Sequence, residues 1–297
     1  MDEHLNLVLL LSFGVLLVAV LAVRLADRTG LPALLVYLGL GLAVGEAGLG
    51  VHFSDYRLTA DLGLVALAVI LAEGGLTTRW EVVRPALPFA ALLATLGVGI
   101  SVVVVAGAAH QLLDLPWRTS VVLGGVLAST DAAAVFSVLR RLPLAPRVRS
   151  VLEAESGLND APAVVVVVLA SSDAWGSTGV LHLLGEVAFE LAVGAVVGVA
   201  VGRLGRVLLS RAALPSAGLY PLATVGLVLL AFTVANAAHA SGFLAVYLAG
   251  LAFAHGPLPH RRAVLGFAGS LALLAEVGLF VLLGLLASPS RLPGALG

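Results

Sequence analysis

Long apolar runs separated by short polar turns dominate the sequence. A helix needs roughly 20 mostly apolar residues to cross the ~30 Å hydrocarbon core of a bilayer. Runs of this kind occur about ten times, which predicts an all-α, polytopic membrane protein. The predicted helices, numbered 1 to 10, lie at residues 5–23, 31–45, 62–76, 86–109, 119–139, 150–171, 180–202, 218–236, 240–255 and 264–287.

Composition supports this class and excludes others. The 297 residues are 60% apolar and 11% charged, with a mean hydropathy of +1.11, whereas soluble domains are roughly 45–50% apolar and 25% charged. A net charge of −1 and the lack of a basic patch argue against binding of nucleic acid. The chain has no cysteine, and its histidines do not have the spacing of metal ligands, so we expect no cofactor.

The arginines predict the orientation of the helices. All 16 basic residues are arginine, and 13 of them fall in alternate loops on one side of the predicted membrane. The other side holds Arg57, Arg118 and Arg291. Because cytoplasmic loops are enriched in positive charge, we expect both termini outside and an even number of helices in the inner (plasma) membrane.

Two helices contain related segments. Residues 34–39, Leu-Leu-Val-Tyr-Leu-Gly, resemble residues 244–249, Leu-Ala-Val-Tyr-Leu-Ala. Helices 2 and 9 run in opposite directions, so the match predicts inverted-topology repeats, which are typical of secondary transporters; chance similarity between two Leu/Ala-rich helices is the alternative. Helices 8–10 then correspond to helices 1–3. The second repeat is incomplete, and we expect the 297 residues to be a truncated part of a longer protein.

Helix 6 carries the densest group of polar side chains. Ser156 and Asp160 are four residues apart and share one helical face, and Glu155 and Asn159 share the neighbouring face. Pro162 has no N–H to donate to the carbonyl of residue 158. Carboxylate, hydroxyl, amide and carbonyl oxygens together suit a small, hard cation.

Helix 5 offers a second group of oxygens at Ser129, Thr130 and Asp131. Helices 5 and 6 are joined by a short turn, so Thr130 and Asp131 could converge with Asp160. Intramembrane acids are functional candidates because they are costly to insert. The alternative for Asp131 is that it caps a broken half-helix and fixes the packing.

Two further acids lie in predicted helices. Glu73 precedes a Gly-Gly pair and either reaches into the site or lies at the membrane interface. Glu276 lies in helix 10, where a protonated or arginine-paired glutamate between helices is the simpler interpretation.

These residues carry a family resemblance. Residues 155–160, Glu-Ser-Gly-Leu-Asn-Asp, together with Ser-Thr-Asp at 129–131 and Ala-Val-Phe-Ser-Val-Leu-Arg at 134–140, resemble the cation:proton antiporters of the NhaP and sodium/proton exchanger branch. The bacterial potassium/proton subgroup is most similar. The resemblance extends to Glu-Gly-Gly-Leu at 73–76 and Ser-Gly-Phe-Leu-Ala-Val-Tyr at 241–247.

The resemblance implies a homodimer with two kinds of helices. Residues 1–85 would hold the dimerisation-side helices 1–3, residues 86–173 the first half of the ion-binding core, and residues 174–297 the dimerisation side of the second repeat. Asp160 would take a cation and a proton alternately.

The resemblance also implies roles for six other residues. Ser156, Thr130, Asp131 and Glu73 would complete the site, with the cation at Asp160, Ser156 and Thr130. Asn159 and Glu155 would support it, and the Asn-Asp pair implies electroneutral exchange.

Two features depart from the family pattern. Many relatives have Pro after the helix-5 Asp, whereas this chain has Ala132 to Ala134, which favour helix; an unwound helix 5 is therefore implied by the resemblance alone. The later core helices are absent from the sequence, together with an Arg that pairs in relatives with the acid at position 155.

Antiport is the favoured function. Proton and cation would compete for Asp160, and counter-transport follows if only the loaded site crosses the membrane barrier. No covalent chemistry is needed, so we do not expect an enzyme. One alternative is a cation channel, although channels favour symmetric rings of ligands. The other is an intramembrane aspartyl protease that uses Asp131 and Asp160, although Asn159 replaces the Gly that such an enzyme needs.

Overall fold

The computed structural model describes residues 6, 9–10, 13–22, 32–46, 48–78, 80–130, 143–145, 148, 151–152, 154–155, 158–172, 175, 180–256 and 258–287. Over these ranges the regular secondary structure is helical, which confirms the all-α prediction. The helices are α1 (Phe13–Ala22), α2 (Ala33–Val44), α3 (Tyr56–Thr77), α4 (Leu87–Leu112), α5 (Trp117–Ala128), α6 (Asp160–Ser171), α7 (Val180–Arg211), α8 (Leu219–Ala237), α9 (Gly242–Ala254) and α10 (Arg261–Leu286), with a single helical turn at Trp80–Val83.

Five of these helices, α3, α4, α7, α8 and α10, are long and apolar enough to cross a membrane. Helices α1, α2, α6 and α9 are shorter but also apolar. Within the described residues, the largest differences from the predicted boundaries are at helices 3 and 7. Helix α3 begins at Tyr56 instead of residue 62, and α7 continues to Arg211 instead of residue 202.

The chain divides into two compact units. Residues 1–70 and 270–297 form the first unit, and residues 71–269 form the second. The candidate ion site lies in the second unit. The functional division predicted at residues 1–85, 86–173 and 174–297 stays a prediction.

In the second unit, a stripe of glycines on α7 packs against the backbone of α9. A Cβ atom at Gly194, Gly198 or Gly202 would lie 2.4–2.7 Å from a carbonyl oxygen of α9 or of the Ser241 that precedes it. Small residues allow membrane helices to approach closely and gain van der Waals contact. The glycine spacing of four residues therefore dictates the α7–α9 interface.

Helix α9 is also held at both ends. Ser241 caps its first turn by accepting from the Leu244 N–H at 3.4 Å, and its own N–H donates to the Glu190 carbonyl of α7 at 3.0 Å. At the other end, Arg206 Nη1 of α7 donates to the carbonyls of His255 and, at 3.4 Å, Ala252. A cation at a helix C-terminus satisfies carbonyls that have no partner within the helix.

Helices α4, α5 and α6 form a second packed group. Val98, Val102 and Ala163 are buried together, with Val121, Ala128 and Val166 around them. Gly124 faces the backbone of Val102 on α4, while Gly125 faces Val167 on α6. Two adjacent glycines thus let α5 lie close to both neighbours.

Two pairs of helices approach each other closely at glycines, and we call these two contacts the glycine crossings. In the first unit Gly41 of α2 meets Gly284 of α10, and in the second unit Gly75 of α3 meets Gly250 of α9. In each pair, a Cβ on either glycine would meet the partner helix backbone at 2.3–2.9 Å. If helices 2 and 3 correspond to helices 9 and 10, Gly41 corresponds to Gly250 and Gly75 corresponds to Gly284. The number of residues between the two glycines is the same in both cases.

This correspondence supports the predicted repeat of helices 2 and 3 in helices 9 and 10. It also corrects the register. The match of Tyr37 with Tyr247 is one residue out of step with the glycine crossings, because residue identity between two Leu/Ala-rich helices is a weaker constraint than backbone contact.

Candidate functional site

The candidate site lies where the end of α5 meets the start of α6. At the other end of this helix pair, Arg118 joins the start of α5 to the end of α6. This residue lies in the first turn of α5. Its Nε donates to the Ala170 carbonyl at 3.0 Å, and its Nη2 donates to the carbonyls of Ser171 at 2.6 Å and Ser172 at 3.0 Å. Arg118 therefore caps the C-terminus of α6 and fixes the start of α5 against it.

At the site end, α5 stops earlier than its sequence predicts. Ser129 has extended backbone angles, with φ −78° and ψ 141°, so Ser129 and Thr130 leave the helix. The prediction of a continuous helix at 119–139 is wrong at these two residues; residues 131–142 lie outside the described part of the chain. Ser and Thr side chains offer the backbone alternatives to helix, and here both hydroxyls are bonded to the start of α6.

Helix α6 begins at Asp160, although the sequence predicts a helix from residue 150. Residues 151–152, 154–155 and 158 are also helical, and Asn159 has right-handed helical angles, with φ −74° and ψ −23°. Its N–H donates to the Glu155 carbonyl at 2.9 Å, as in a continuous helix. Pro162 has no N–H to donate to the carbonyl of the helical Leu158, so this one hydrogen bond is missing from the helix. Asp160 is the first residue of the continuous segment Asp160–Ser171.

A short hydrogen bond joins the two helix ends. Ser129 Oγ donates to Asp160 Oδ1 at 2.5 Å, and both side chains are half-buried. Bonds between a hydroxyl and a carboxylate are short and strong because the acceptor is charged. The carboxylate predicted as the ion ligand is thus held at the junction of α5 and α6.

Asn159 makes the second connection. It is fully buried, and its Nδ2 donates to Thr130 Oγ1 at 2.6 Å and to Glu155 Oε1 at 3.0 Å. Its Oδ1 is buried and has no hydrogen-bond partner in the part of the chain that the structure describes. The bond between Glu155 and Asn159 confirms that these residues share a helical face, as their spacing predicts.

An apolar cluster supports this junction. Tyr247 of α9 packs with Ala154 and Leu158, which precede Asp160, and with Ala90 and Ala94 of α4. Ala94 belongs to a π-helical turn, Leu93–Gly97, in which Thr95 Oγ1 donates to the Ala91 carbonyl at 2.7 Å. Such turns insert one residue into a helix and frequently occur near functional sites.

The structure brings four of the seven predicted residues together between the end of α5 and the start of α6. Asn159 donates to Thr130 and Glu155, and Asp160 accepts from Ser129, the residue before Thr130. Ser156 and Asp131 lie outside the described residues, so their roles stay predictions.

Glu73 is half-buried on α3, one turn before the helix ends, and its carbonyl accepts from Thr77 Oγ1 at 2.9 Å. The structure therefore places Glu73 in the second unit, together with Asp160. Its participation in the site also stays a prediction. Glu276 of α10 lies in the first unit, close enough to the buried Tyr37 for the two side chains to interact electrostatically.

The sequence indicates Ser129 only as one of the helix-5 oxygens and does not predict it as part of the site. The contact of Ser129 with Asp160 joins residues 31 positions apart, and neither helical periodicity nor spacing connects them. The available signal was the Ser-Thr-Asp sequence, because hydroxyl residues frequently bond backbone or acids where helices are interrupted.

The arrangement suits an ion that exchanges with a proton. A carboxylate at a helix N-terminus can hold either a proton or a cation, and hydroxyl and carbonyl oxygens are ligands of hard cations. The last carbonyls of α5 have no partner within that helix, and interrupted membrane helices present such carbonyls to cations in transporters.

Comparison with protein families places the chain among ion exchangers. The family model "Sodium/hydrogen exchanger, transmembrane" matches residues 14–296. This match covers nearly the whole chain.

Two curated relatives have similar names. The K(+)/H(+) antiporter NhaP of Alkalimonas amylolytica is 38% identical over 98% of this chain and 51% of its own length. The K(+)/H(+) antiporter NhaP2 of Shewanella sp. (strain ANA-3) is 36% identical over 93% of this chain and 48% of its own length. The chain therefore spans about half the length of the curated relatives it matches.

A solved structure has the same fold. The sodium proton antiporter MjNhaP1 from Methanocaldococcus jannaschii matches 98% of this chain with a TM-score of 0.81 and 23% sequence identity, and the match covers 73% of that protein. At this identity the likeness concerns the fold.

Proposed function

The chain belongs to the sodium/hydrogen exchanger family, and we propose that it exchanges a monovalent cation, K⁺ or Na⁺, for H⁺ across the membrane, with both ions competing for Asp160. The family assignment confirms the resemblance seen in the sequence. One observation carries the proposal: Asp160 Oδ1, at the start of α6, lies 2.5 Å from the Oγ of Ser129, the residue that follows α5.

Competition follows from the chemistry of one carboxylate. A bound proton neutralises Asp160, and a bound cation compensates the same charge, so each ion weakens the binding of the other. An empty, charged site is costly to move through a low-dielectric barrier. Only loaded forms then interconvert, and the gradient of one ion drives the other.

The remaining ligands are oxygen atoms. Thr130 contributes its hydroxyl or carbonyl, and Ser156, Asp131 and Glu73 complete the set. Both K⁺ and Na⁺ take oxygen ligands, and the names of the two bacterial relatives favour K⁺.

Asn159 and Glu155 support the site and do not bind the ion. The two hydrogen bonds from Asn159 Nδ2 hold Thr130 and Glu155 at fixed positions beside Asp160. The neutral amide next to Asp160 leaves one exchanging charge in the Asn-Asp pair. One cation therefore replaces one proton, and the exchange is electroneutral.

The protein is a homodimer in the inner (plasma) membrane, in contact with lipid and with its N-terminus outside. The orientation rests on the 13 arginines that share one side of the predicted topology.

The test is cation-induced collapse of a preset pH gradient in proteoliposomes that contain this chain. We expect a response to K⁺ or Na⁺ that Asp160→Asn abolishes and that Asp114→Asn, the same substitution at an exposed loop position, leaves intact. Transport that persists in Asp160→Asn would contradict the proposal, as would conduction without an opposing flux of protons.

A further inference from the structure

Tyr247 of α9 lies between two segments of the second unit that carry predicted site residues. Its side chain is buried, with 3% of the residue exposed. The ring faces α3, where a Cβ atom at Gly74, the residue after Glu73, would lie 4.0 Å from Tyr247 Cε2. The same tyrosine belongs to one buried cluster with Leu158, the residue before Asn159. The site described above gives this tyrosine no part in binding the ion.

The position of Tyr247 is fixed from the α3 side. A Cβ atom at Gly75 would collide with the Tyr247 carbonyl oxygen, so the backbones of α3 and α9 are in direct contact here. The side chains of Tyr247 and Thr78 are hydrogen-bonded, and Thr78 Oγ1 donates to the Gly74 carbonyl at 2.6 Å. A buried tyrosine whose backbone and hydroxyl are both held has little freedom to move. The end of α3 therefore fixes the ring.

The cluster around the ring is made of small and branched apolar side chains. Its buried members besides Tyr247 are Ala90, Ala94, Ala154 and Leu158. Alanines let the ring lie close to the neighbouring helices, and interiors packed in this way transmit small changes of volume to adjacent groups. Removal of the ring would therefore release Leu158, and with it the adjoining Asn159 and Asp160.

We propose that Tyr247 is a positioning residue that sets the affinity of the site for its cation by holding residues 158–160 in place relative to α3. This inference rests on the proposed function. A binding site keeps its geometry only when the residues that carry its ligands are locked by the packing around them. Tyr247 acts through Leu158 and does not bind the ion itself.

A purely structural role would have a different effect on cation binding. A variant that is only less stable contains fewer folded molecules, and each of these binds the cation with the original dissociation constant. The number of ions bound per chain at saturation then falls. Loss of positioning displaces the site in every folded molecule, so the dissociation constant rises while the number of ions bound stays the same.

The experiment measures binding of K⁺, and in parallel of Na⁺, to the purified chain in detergent by titration calorimetry at constant pH. For Tyr247→Leu, which removes the ring, we expect the dissociation constant to rise about tenfold, because truncation leaves space into which neighbouring groups shift. The number of ions bound per chain should not change. Tyr247→Phe keeps the ring and loses one hydrogen bond, so its dissociation constant should stay within about threefold of the original value.

Phe253→Leu is the matched control. Phe253 is a fully buried aromatic residue of the same helix, and its ring lies against Gly205 of α7. This variant should lose stability and keep the original dissociation constant. If Tyr247→Leu does not fold, Leu158→Val replaces it. It shortens the side chain that packs in the cluster of Tyr247 and should raise the dissociation constant in the same direction.

The outcomes separate the two proposals. If Asp160→Asn binds the cation as tightly as the original chain, or if the original chain binds neither ion, the proposed function fails and this inference fails with it. If Asp160→Asn loses binding but Tyr247→Leu keeps the original dissociation constant, the role of Tyr247 alone is overturned. A dissociation constant that rises equally in Tyr247→Leu and Phe253→Leu would also overturn it.

Discussion

The side-chain amide of Asn159 donates to Thr130 Oγ1 across 2.6 Å and to Glu155 Oε1 across 3.0 Å. Asn159 is fully buried, whereas Thr130 is exposed and Glu155 is half-buried. The two hydrogen bonds join the interrupted end of α5 to the start of α6, beside the carboxylate of Asp160. The geometry of the candidate site therefore depends on a residue that carries no charge.

Replacing this amide should lower stability. Asn159→Ala removes a buried amide and its two hydrogen bonds, at a cost of about 1–3 kcal/mol. We expect a lower thermal denaturation midpoint in detergent than for Asn236→Ala, which changes an exposed asparagine on α8. Equal midpoints for the two variants would show that the Asn159 bonds do not stabilise the fold.

Asn159→Asp should depend on pH. An ionised carboxylate cannot donate to Glu155 and repels it, whereas protonation of either acid restores a donor. The loss of stability relative to the original chain should therefore be larger at high pH than at low pH. The same denaturation measurement at two pH values checks this, and a loss that does not vary with pH would contradict it.

The hydrogen bonds of Arg118 should stabilise the contact between the start of α5 and the C-terminus of α6. Arg118→Ala removes three hydrogen bonds to the carbonyls that end α6. Because the side chain is largely exposed, we expect a modest cost of about 1 kcal/mol. The control is Arg262→Ala, at an exposed position on α10. If both variants denature at the same temperature, the cap contributes nothing measurable.

The glycine stripe on α7 predicts a contrast between two identical substitutions. A Cβ at Gly198 would lie 2.4 Å from the Ala245 carbonyl, whereas nothing lies within 4 Å of a Cβ at Gly226 on α8. Gly198→Ala should destabilise the protein by about 1–3 kcal/mol through overpacking. Gly226→Ala should be neutral or slightly stabilising, since alanine favours helix. Equal denaturation midpoints would refute the close α7–α9 packing.

Electroneutral exchange predicts no effect of voltage. If one cation replaces one proton at Asp160, a membrane potential performs no net work on the cycle. Exchange rates in proteoliposomes should stay the same when a potential is imposed with a lipophilic anion, which leaves the cation gradient unaltered. A rate that rises with a potential of one sign and falls with the other would indicate unequal charges.

Much of this architecture is visible in the sequence. Apolar runs predict the helices, because each must satisfy its backbone within the membrane. Helical spacing predicts that Glu155 and Asn159 share a face, and their hydrogen bond confirms it. The cost of burying charge in a membrane identifies Asp160 as the central candidate.

Other features depend on contacts that periodicity does not encode. The alanines after Asp131 favour helix, yet α5 ends at Ala128, because Ser129 and Thr130 bond to a segment about 30 residues away. Arg118 could be recognised as a loop charge but not as a cap. The register of the repeat required the glycine crossings, since many residues of these apolar helices are interchangeable.

The most direct test of the account is the pH dependence of cation binding to the purified chain, with and without Asp160. If one proton and one cation compete for this carboxylate, the dissociation constant for K⁺ or Na⁺ should rise about tenfold for each unit of falling pH on the acid side of the midpoint. Asp160→Asn should abolish this dependence. A dissociation constant that does not change with pH, or that changes equally in Asp160→Asn, would contradict the central claim.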